Sequence, residues 1–96
     1  MLTDEDALDI TLFINGGVSG FVINLRCRFN DIWHAVYRVD TCHKYLHEQR
    51  FWIAPEPITL PLWEESLEGV FVFYLNQIKQ SFWRYRQYYL EKLNWC

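Results

Sequence analysis

Phe21-Val22-Ile23-Asn24-Leu25-Arg26-Cys27-Arg28-Phe29-Asn30-Asp31-Ile32-Trp33-His34-Ala35-Val36-Tyr37-Arg38-Val39-Asp40 alternates apolar and polar side chains on both sides of a short polar break. That pattern is two half-buried strands joined by a tight loop. Phe21, Ile23, Leu25, Cys27 and Phe29 form the apolar side of the first strand. Trp33, Ala35, Tyr37 and Val39 are expected to form that of the second, with His34, Val36, Arg38 and Asp40 outward. Residues directly opposite in an antiparallel pair share a face. A two-residue loop, 30–31, sets Arg28 against Trp33 and Cys27 against His34, which mixes the faces. A three-residue loop, 30–32, pairs Phe29 with Trp33, Cys27 with Ala35 and Leu25 with Tyr37, and is the expectation. One polar sheet face carrying Arg26, Arg28, His34, Arg38 and Asp40 would result, a surface suited to anions.

Working outward, Leu8, Ile10, Leu12 and Ile14 alternate with Asp9, Thr11 and Phe13, which reads as another strand over 8–14. Residues 15–20 hold three glycines and form a turn. Residues 47–53 read as a fourth extended piece, and 54–61, with Pro55, Pro57 and Pro61, as a connector. The period then becomes helical. Leu67, Phe71, Leu75, Ile78, Phe82, Tyr85, Tyr89 and Leu93 recur at three- and four-residue steps within 62–94. Early Glu64, Glu65 and Glu68 and late Arg84, Arg86 and Lys92 match the helix dipole. The expected architecture is α+β: one domain, 1–96, with an acidic tail at 1–7 and an antiparallel meander of about four strands. Against it packs one long C-terminal helix. About 32 helical residues span about 48 Å, longer than such a sheet, so the helix is expected to kink or to carry its end onto a partner. Phe73, Trp83, Tyr88 and Trp95 lie off the main stripe, and a homodimer through this aromatic helix is the expected explanation.

With 51% hydrophobic and 19% aromatic residues the chain has ample material for a core, and disorder is excluded. A net charge of -3 argues against a protein that coats nucleic acid by bulk electrostatics. Local basic patches stay open, because the acids gather at the N-terminus and after Pro61 while Arg26, Arg28, Arg38 and Arg50 fall between. Three cysteines and no apolar leader-like run near Met1 point to a cytoplasmic protein without a disulfide framework. The apolar run 70–75 is too short to span a bilayer. No Gly-rich phosphate loop or Cys-x-x-Cys pair calls for a cofactor.

Residues 33–50 hold all three histidines together with Asp40, Arg38 and Arg50. Imidazole, carboxylate and guanidinium are the groups that ligate metals, move protons near neutral pH and hold phosphates. Asp40, His43 and His47 stand at metal-ligand spacing for a helix, although the segment reads as strand and turn. A second reading makes the histidines general acid and base, with Arg26, Arg28 and Arg38 holding a phosphate, as in a metal-independent ribonuclease. In a third, Asp40 caps a turn and the arginines only solvate the sheet face.

The run Val36-Tyr37-Arg38-Val39-Asp40-Thr41-Cys42-His43, then His47, then Ile78-Lys79-Gln80-Ser81-Phe82-Trp83-Arg84-Tyr85-Arg86 resembles a group of small uncharacterised prokaryotic proteins. Their pattern is roughly Arg-Tyr-Asp-x-x-His-Gly, a further His, and a helix with Ile-Lys-x-Asn-Trp-x-x-Tyr. More distantly the chain is similar to TumE-like toxin components of toxin-antitoxin pairs. The resemblance covers roughly residues 20–93. Val39 stands where the pattern has tyrosine and Lys44 where it has glycine. It implies a toxin-like role acting on RNA, with Asp40, His43 and His47 as the catalytic set and a protein antitoxin as a partner. The alternative is a non-catalytic dimeric interaction module whose His/Arg face docks an acidic partner.

Overall fold

The structure is a computed structural model that describes residues 2–41, 45–60 and 66–94. Five strands, β1 (Asp6–Ile14), β2 (Val18–Phe29), β3 (Ile32–Asp40), β4 (Leu46–Arg50) and β5 (Ile58–Leu60), form one antiparallel meander in chain order. The helix α1 (Leu67–Asn94) packs on one face of it, which makes the protein α+β as its periodicities require. Ser66 starts the helix, its Oγ accepting from the Gly69 N–H at 3.4 Å. Gly69 lies in the first turn, where its flexibility costs least, and α1 continues unbroken. Its 28 residues give a length of about 42 Å, close to the 44 Å long dimension of the molecule. A fifth strand was not expected inside the proline-rich connector. It forms because Thr59 and Leu60 still alternate, with Leu60 opposite Leu46 and Thr59 opposite His47.

The core lies between α1 and the centre of the sheet. Phe21, Ile23, Leu25 and Cys27 from β2 meet Tyr37 and Val39 from β3, Leu46 from β4, and Val70, Tyr74 and Ile78 at successive turns of α1. Phe71 meets Phe21 edge-on at 5.4 Å, and further along Tyr85 stacks on Tyr37 at 4.9 Å and on Trp52 at 5.3 Å. The helix therefore runs along β2 and β3, leaving most of β1 uncovered.

Between β2 and β3 the register departs from expectation near the turn and agrees with it beyond. Phe29 pairs with Ile32, so the loop is the two residues Asn30-Asp31, with φ of 51° and 65°. Positive φ at both central residues is the twist-matched turn of two-residue hairpins, and Asn and Asp tolerate it best after glycine. Arg28 then faces Trp33 and Cys27 faces His34, until a β-bulge shifts the pairing between Leu25 and Arg26. Val36 is the extra residue, and beyond it Leu25 pairs with Tyr37 and Asn24 with Arg38 as expected. Two local demands conflict here: the turn needs two residues, whereas the core needs Tyr37 and Val39 inward. The bulge satisfies both, at the cost of exchanging the faces of Trp33 and His34. Asp31→Gly is expected to raise stability by about 0.5 kcal/mol, since glycine is the preferred second residue of this turn. Thermal unfolding is the check, with a midpoint higher by about 2–4 °C.

Two further expectations change in detail. The fourth strand ends at Arg50 rather than Ile53, because the Ile53 and Ala54 N–H groups both turn back to the Arg50 carbonyl, at 2.9 and 3.1 Å. The off-stripe aromatics Phe73, Trp83 and Tyr88 are exposed, as expected, but are spread over an arc of about 140° of the helix. Tyr88 leans on Trp52 at 5.5 Å, Phe73 lines a depression with Ile58 and Leu60, and Trp83 is exposed with the Arg84 guanidinium beside it. Trp95 and residues 62–65 lie outside the described residues.

Candidate functional site

The sheet face away from α1 is where the sequence places the candidate groups. Along it β3 contributes Arg38 and Asp40, β4 contributes His47 and Gln49, and β5 contributes Thr59. The register sets Asp40 opposite His47, Arg38 opposite Gln49, and His47 opposite Thr59. Directly opposed side chains have Cβ atoms about 4.5–5.5 Å apart, so Asp40 and His47 are immediate neighbours. In sequence their odd spacing put them on opposite sides. The chain reversal between β3 and β4 brings them together. Arg38 Nε donates to Asp40 Oδ2 at 3.0 Å, and Thr59 Oγ1 lies 3.4 Å from His47 Nδ1. Asp40 is buried whereas Arg38 is half-exposed. His43 lies outside the described residues.

Of these groups Arg38, Asp40 and Gln49 border an open concavity of about 610 Å³, whose lining also includes Asp9, Thr11 and Asn24. It is shallow and polar, and suits an extended polar ligand better than a small apolar one.

Arg26 and Arg28, expected as free phosphate ligands, are instead neutralised by β1 and the turn before it. Arg26 grips Asp9 through both carboxylate oxygens, at 2.5 and 3.0 Å, and Arg28 grips Glu5 at 3.1 and 3.3 Å. Both carboxylates are held below their ordinary range by these arginines. The two guanidiniums also flank the Trp33 ring, at 5.1 and 5.6 Å from its centroid. Trp33 is thus on the outer face, contrary to expectation. His34 is on the inner one, with Nδ1 3.2 Å from the Tyr89 hydroxyl and its ring against Phe29. The reason is the turn and bulge between β2 and β3.

Two polar clusters inside the fold were not anticipated. Glu48 is buried, accepts from the Tyr37 hydroxyl at 2.5 Å and from Arg50 Nε at 2.9 Å, and packs beneath α1. Its place opposite Val39 is the signal that reveals it, once β4 is registered on β3. Burial, then the bond to Glu48, push the Tyr37 hydroxyl far above its ordinary range. At the other end Arg86 reaches the buried Asp6 at 3.1 Å. Beside it the Cys27 thiol is pushed up by burial, and next by Asp6, which removes it from the candidate nucleophiles. Among the described residues no buried side-chain polar atom lacks a partner, and no three His, Cys, Asp or Glu side chains gather in a metal-binding cluster. No helix among them is long and apolar enough to cross a membrane. No family model, curated protein or solved structure matches the chain.

Proposed function

We propose that the chain is a toxin-like protein that acts on RNA at the outer sheet face. The observation that carries this reading is the placement of His47 opposite Asp40, whose carboxylate accepts from Arg38 and lines an open polar concavity. An imidazole next to a carboxylate is oriented for proton transfer, and a guanidinium paired with that carboxylate can hold a phosphate. In this scheme His47 takes the proton of the ribose 2′-hydroxyl as its oxygen attacks phosphorus, and Arg38 bears the charge that develops on the phosphate. His43 returns a proton to the departing 5′-oxygen, a role carried by the resemblance. The Arg38 guanidinium is half-exposed, so it can meet an incoming phosphate while it still holds Asp40. Trp33, with Arg26 and Arg28 about it, offers a ring on which an unpaired base can stack. A cytoplasmic address and a protein antitoxin belong to the same reading.

Incubation of the purified protein with a pool of single-stranded and structured RNA, with and without EDTA, tests it. Cleavage is expected without dependence on EDTA, and His47→Ala should lower the rate by about 10²–10⁴-fold while leaving the melting temperature unchanged. Equal cleavage by the wild type and His47→Ala, or none by either, would sink the proposal. The second reading, a binding module without turnover, is favoured by a separate observation: Ile10, Leu12, Phe13 and Ile14 are exposed along one strand. It expects no cleavage and a protein partner instead.

A further inference from the structure

The two edges of the sheet are treated differently. β5 is three residues long and is bracketed in sequence by Pro57 and Pro61, which are common devices for blunting an edge. β1 is nine residues long and has no proline or lysine. Among the described residues its sheet neighbour is β2 alone. Its inner face, Leu8, Ile10 and Leu12, continues the core rows of Leu25, Ile23 and Phe21, yet Ile10 and Leu12 are each 43% exposed.

The direction of the backbone groups on β1 follows from its first residues. The Glu5 carbonyl accepts from the Arg28 N–H at 2.8 Å and so faces β2. The Asp6 carbonyl accepts from Leu2 and Thr3 at 2.9 and 3.0 Å, and the Asp6 N–H turns to Thr3. Asp6 therefore faces away from β2. By the alternation of antiparallel ladders, Ala7, Asp9, Thr11 and Phe13 bond to β2, whereas Leu8, Ile10 and Leu12 point their N–H and C=O groups outward. The Thr3 bridge closes the edge at Asp6 and the Asn15–Gly17 turn closes it after Ile14. The open window is 7–13, and its centre is Ile10.

We propose that this window is a dimer interface in which β1 pairs antiparallel with β1 of a second copy about a two-fold axis at Ile10. The window fits its own rotated image. Ile10 meets the partner's Ile10 and Leu8 meets the partner's Leu12, so all three outward residues are paired in about six backbone hydrogen bonds. On the outer face Asp9 meets the partner's Thr11 and Ala7 meets the partner's Phe13, so no acid faces an acid. Asp9 is in addition already neutralised by Arg26. A self-complementary patch of this kind is what closed two-fold dimers require. The pairing joins the two sheets into one and sets both helices on the same face. Val72 and Trp83 are exposed on the helix flank that also carries Arg86 to Asp6, the flank on the β1 side of the sheet. The interface is independent of the RNA reading, and differs from the expected dimer through the outer aromatics of the helix.

Sedimentation equilibrium from micromolar to millimolar chain, with Ile10→Pro beside the wild type, tests it. The Ile10 N–H is not used by β2, so proline is tolerated there in the monomer. The wild type should sediment at twice the chain mass and Ile10→Pro at one chain mass, with an unchanged far-ultraviolet spectrum. Amide exchange gives a second readout without a variant. Leu8, Ile10 and Leu12 should exchange fast in dilute protein and become protected as it dimerises, while Asp9 and Thr11 stay protected throughout. A wild type that is monomeric over the whole range overturns the proposal. So does a dimer that survives Ile10→Pro and dissolves with Trp83→Arg. Should Ile10→Pro not fold, fast exchange of the Leu8, Ile10 and Leu12 amides at every concentration overturns it.

Discussion

Arg86→Ala is expected to destabilise the protein by about 3 kcal/mol, because it leaves a buried carboxylate without its charged partner. Arg86 is the clasp between the end of the helix and the start of the sheet. One guanidinium nitrogen donates to the Glu5 carbonyl and to Asp6 Oδ1, both at 3.1 Å, and the other donates to the Arg28 carbonyl at 2.9 Å. Its Cζ also lies 4.5 Å from the centre of the Phe29 ring. Asp6 is 4% exposed and keeps only Thr3 Oγ1, at 2.6 Å, and the Cys27 thiol as donors once Arg86 is gone. Lysine restores part of the loss, since it carries charge without the fork that reaches three acceptors. Urea unfolding with an unchanged slope is the measurement. A change under about 0.5 kcal/mol, the usual range of surface substitutions, would refute the account. The acid limb gives a linked check. Burial raises the Asp6 pKa, but hydrogen bonds from Thr3, Cys27 and Arg86 outweigh it and hold the group below its ordinary 3.8. The folded carboxyl is thus the stronger acid. Its contribution is complete above that value and is lost as pH falls through the folded one. Arg86→Ala should flatten this loss.

Tyr37→Phe is expected to cost about 2 kcal/mol, the usual penalty for an ionic acceptor that loses a buried donor. Glu48 is 4% exposed beneath the helix, where Tyr37 and Arg50 divide its two oxygens between them. Phenylalanine keeps the ring stack with Tyr85 and Trp52, so the loss isolates the hydroxyl. A double-mutant cycle with Glu48→Gln separates this bond from general loosening. The two substitutions should couple by about 1 kcal/mol or more, whereas additivity within about 0.5 kcal/mol would show the bond to be immaterial.

Much of the architecture was legible because it is local. Alternation at Phe21 to Phe29 and the helical recurrence from Leu67 to Leu93 report which side of each element is buried, and that is enough for α+β with a terminal helix. The pairing of Asn24 with Arg38 and Leu25 with Tyr37 was also legible, because core-facing residues must meet. Near the turn the same rule failed. The backbone preference of Asn30-Asp31 outweighed the apolar pattern over residues 32–35, and a single inserted residue, Val36, reconciled them. His34 therefore left the candidate surface and Trp33 entered it. Phe73, Trp83 and Tyr88 likewise look like one set in sequence, yet Tyr88 leans on Trp52, Phe73 borders Ile58 and Leu60, and Trp83 stands beside Arg84.

By itself the sequence determined the class of fold, the inward faces of β2 and of the far half of β3, and the concentration of titratable groups between Trp33 and Arg50. Each follows from periodicity or composition, which are properties of neighbours along the chain. Tertiary structure alone decided that Asp40 and His47 stand opposite each other and that Asp9 and Glu5 neutralise Arg26 and Arg28. It also decided that Glu48 and Asp6 are buried with partners, and that β1 keeps an open edge. These depend on which strands lie side by side, in what register, and where the helix comes to rest. Charge pairing and burial are set by distances between residues far apart in sequence, which no local pattern carries.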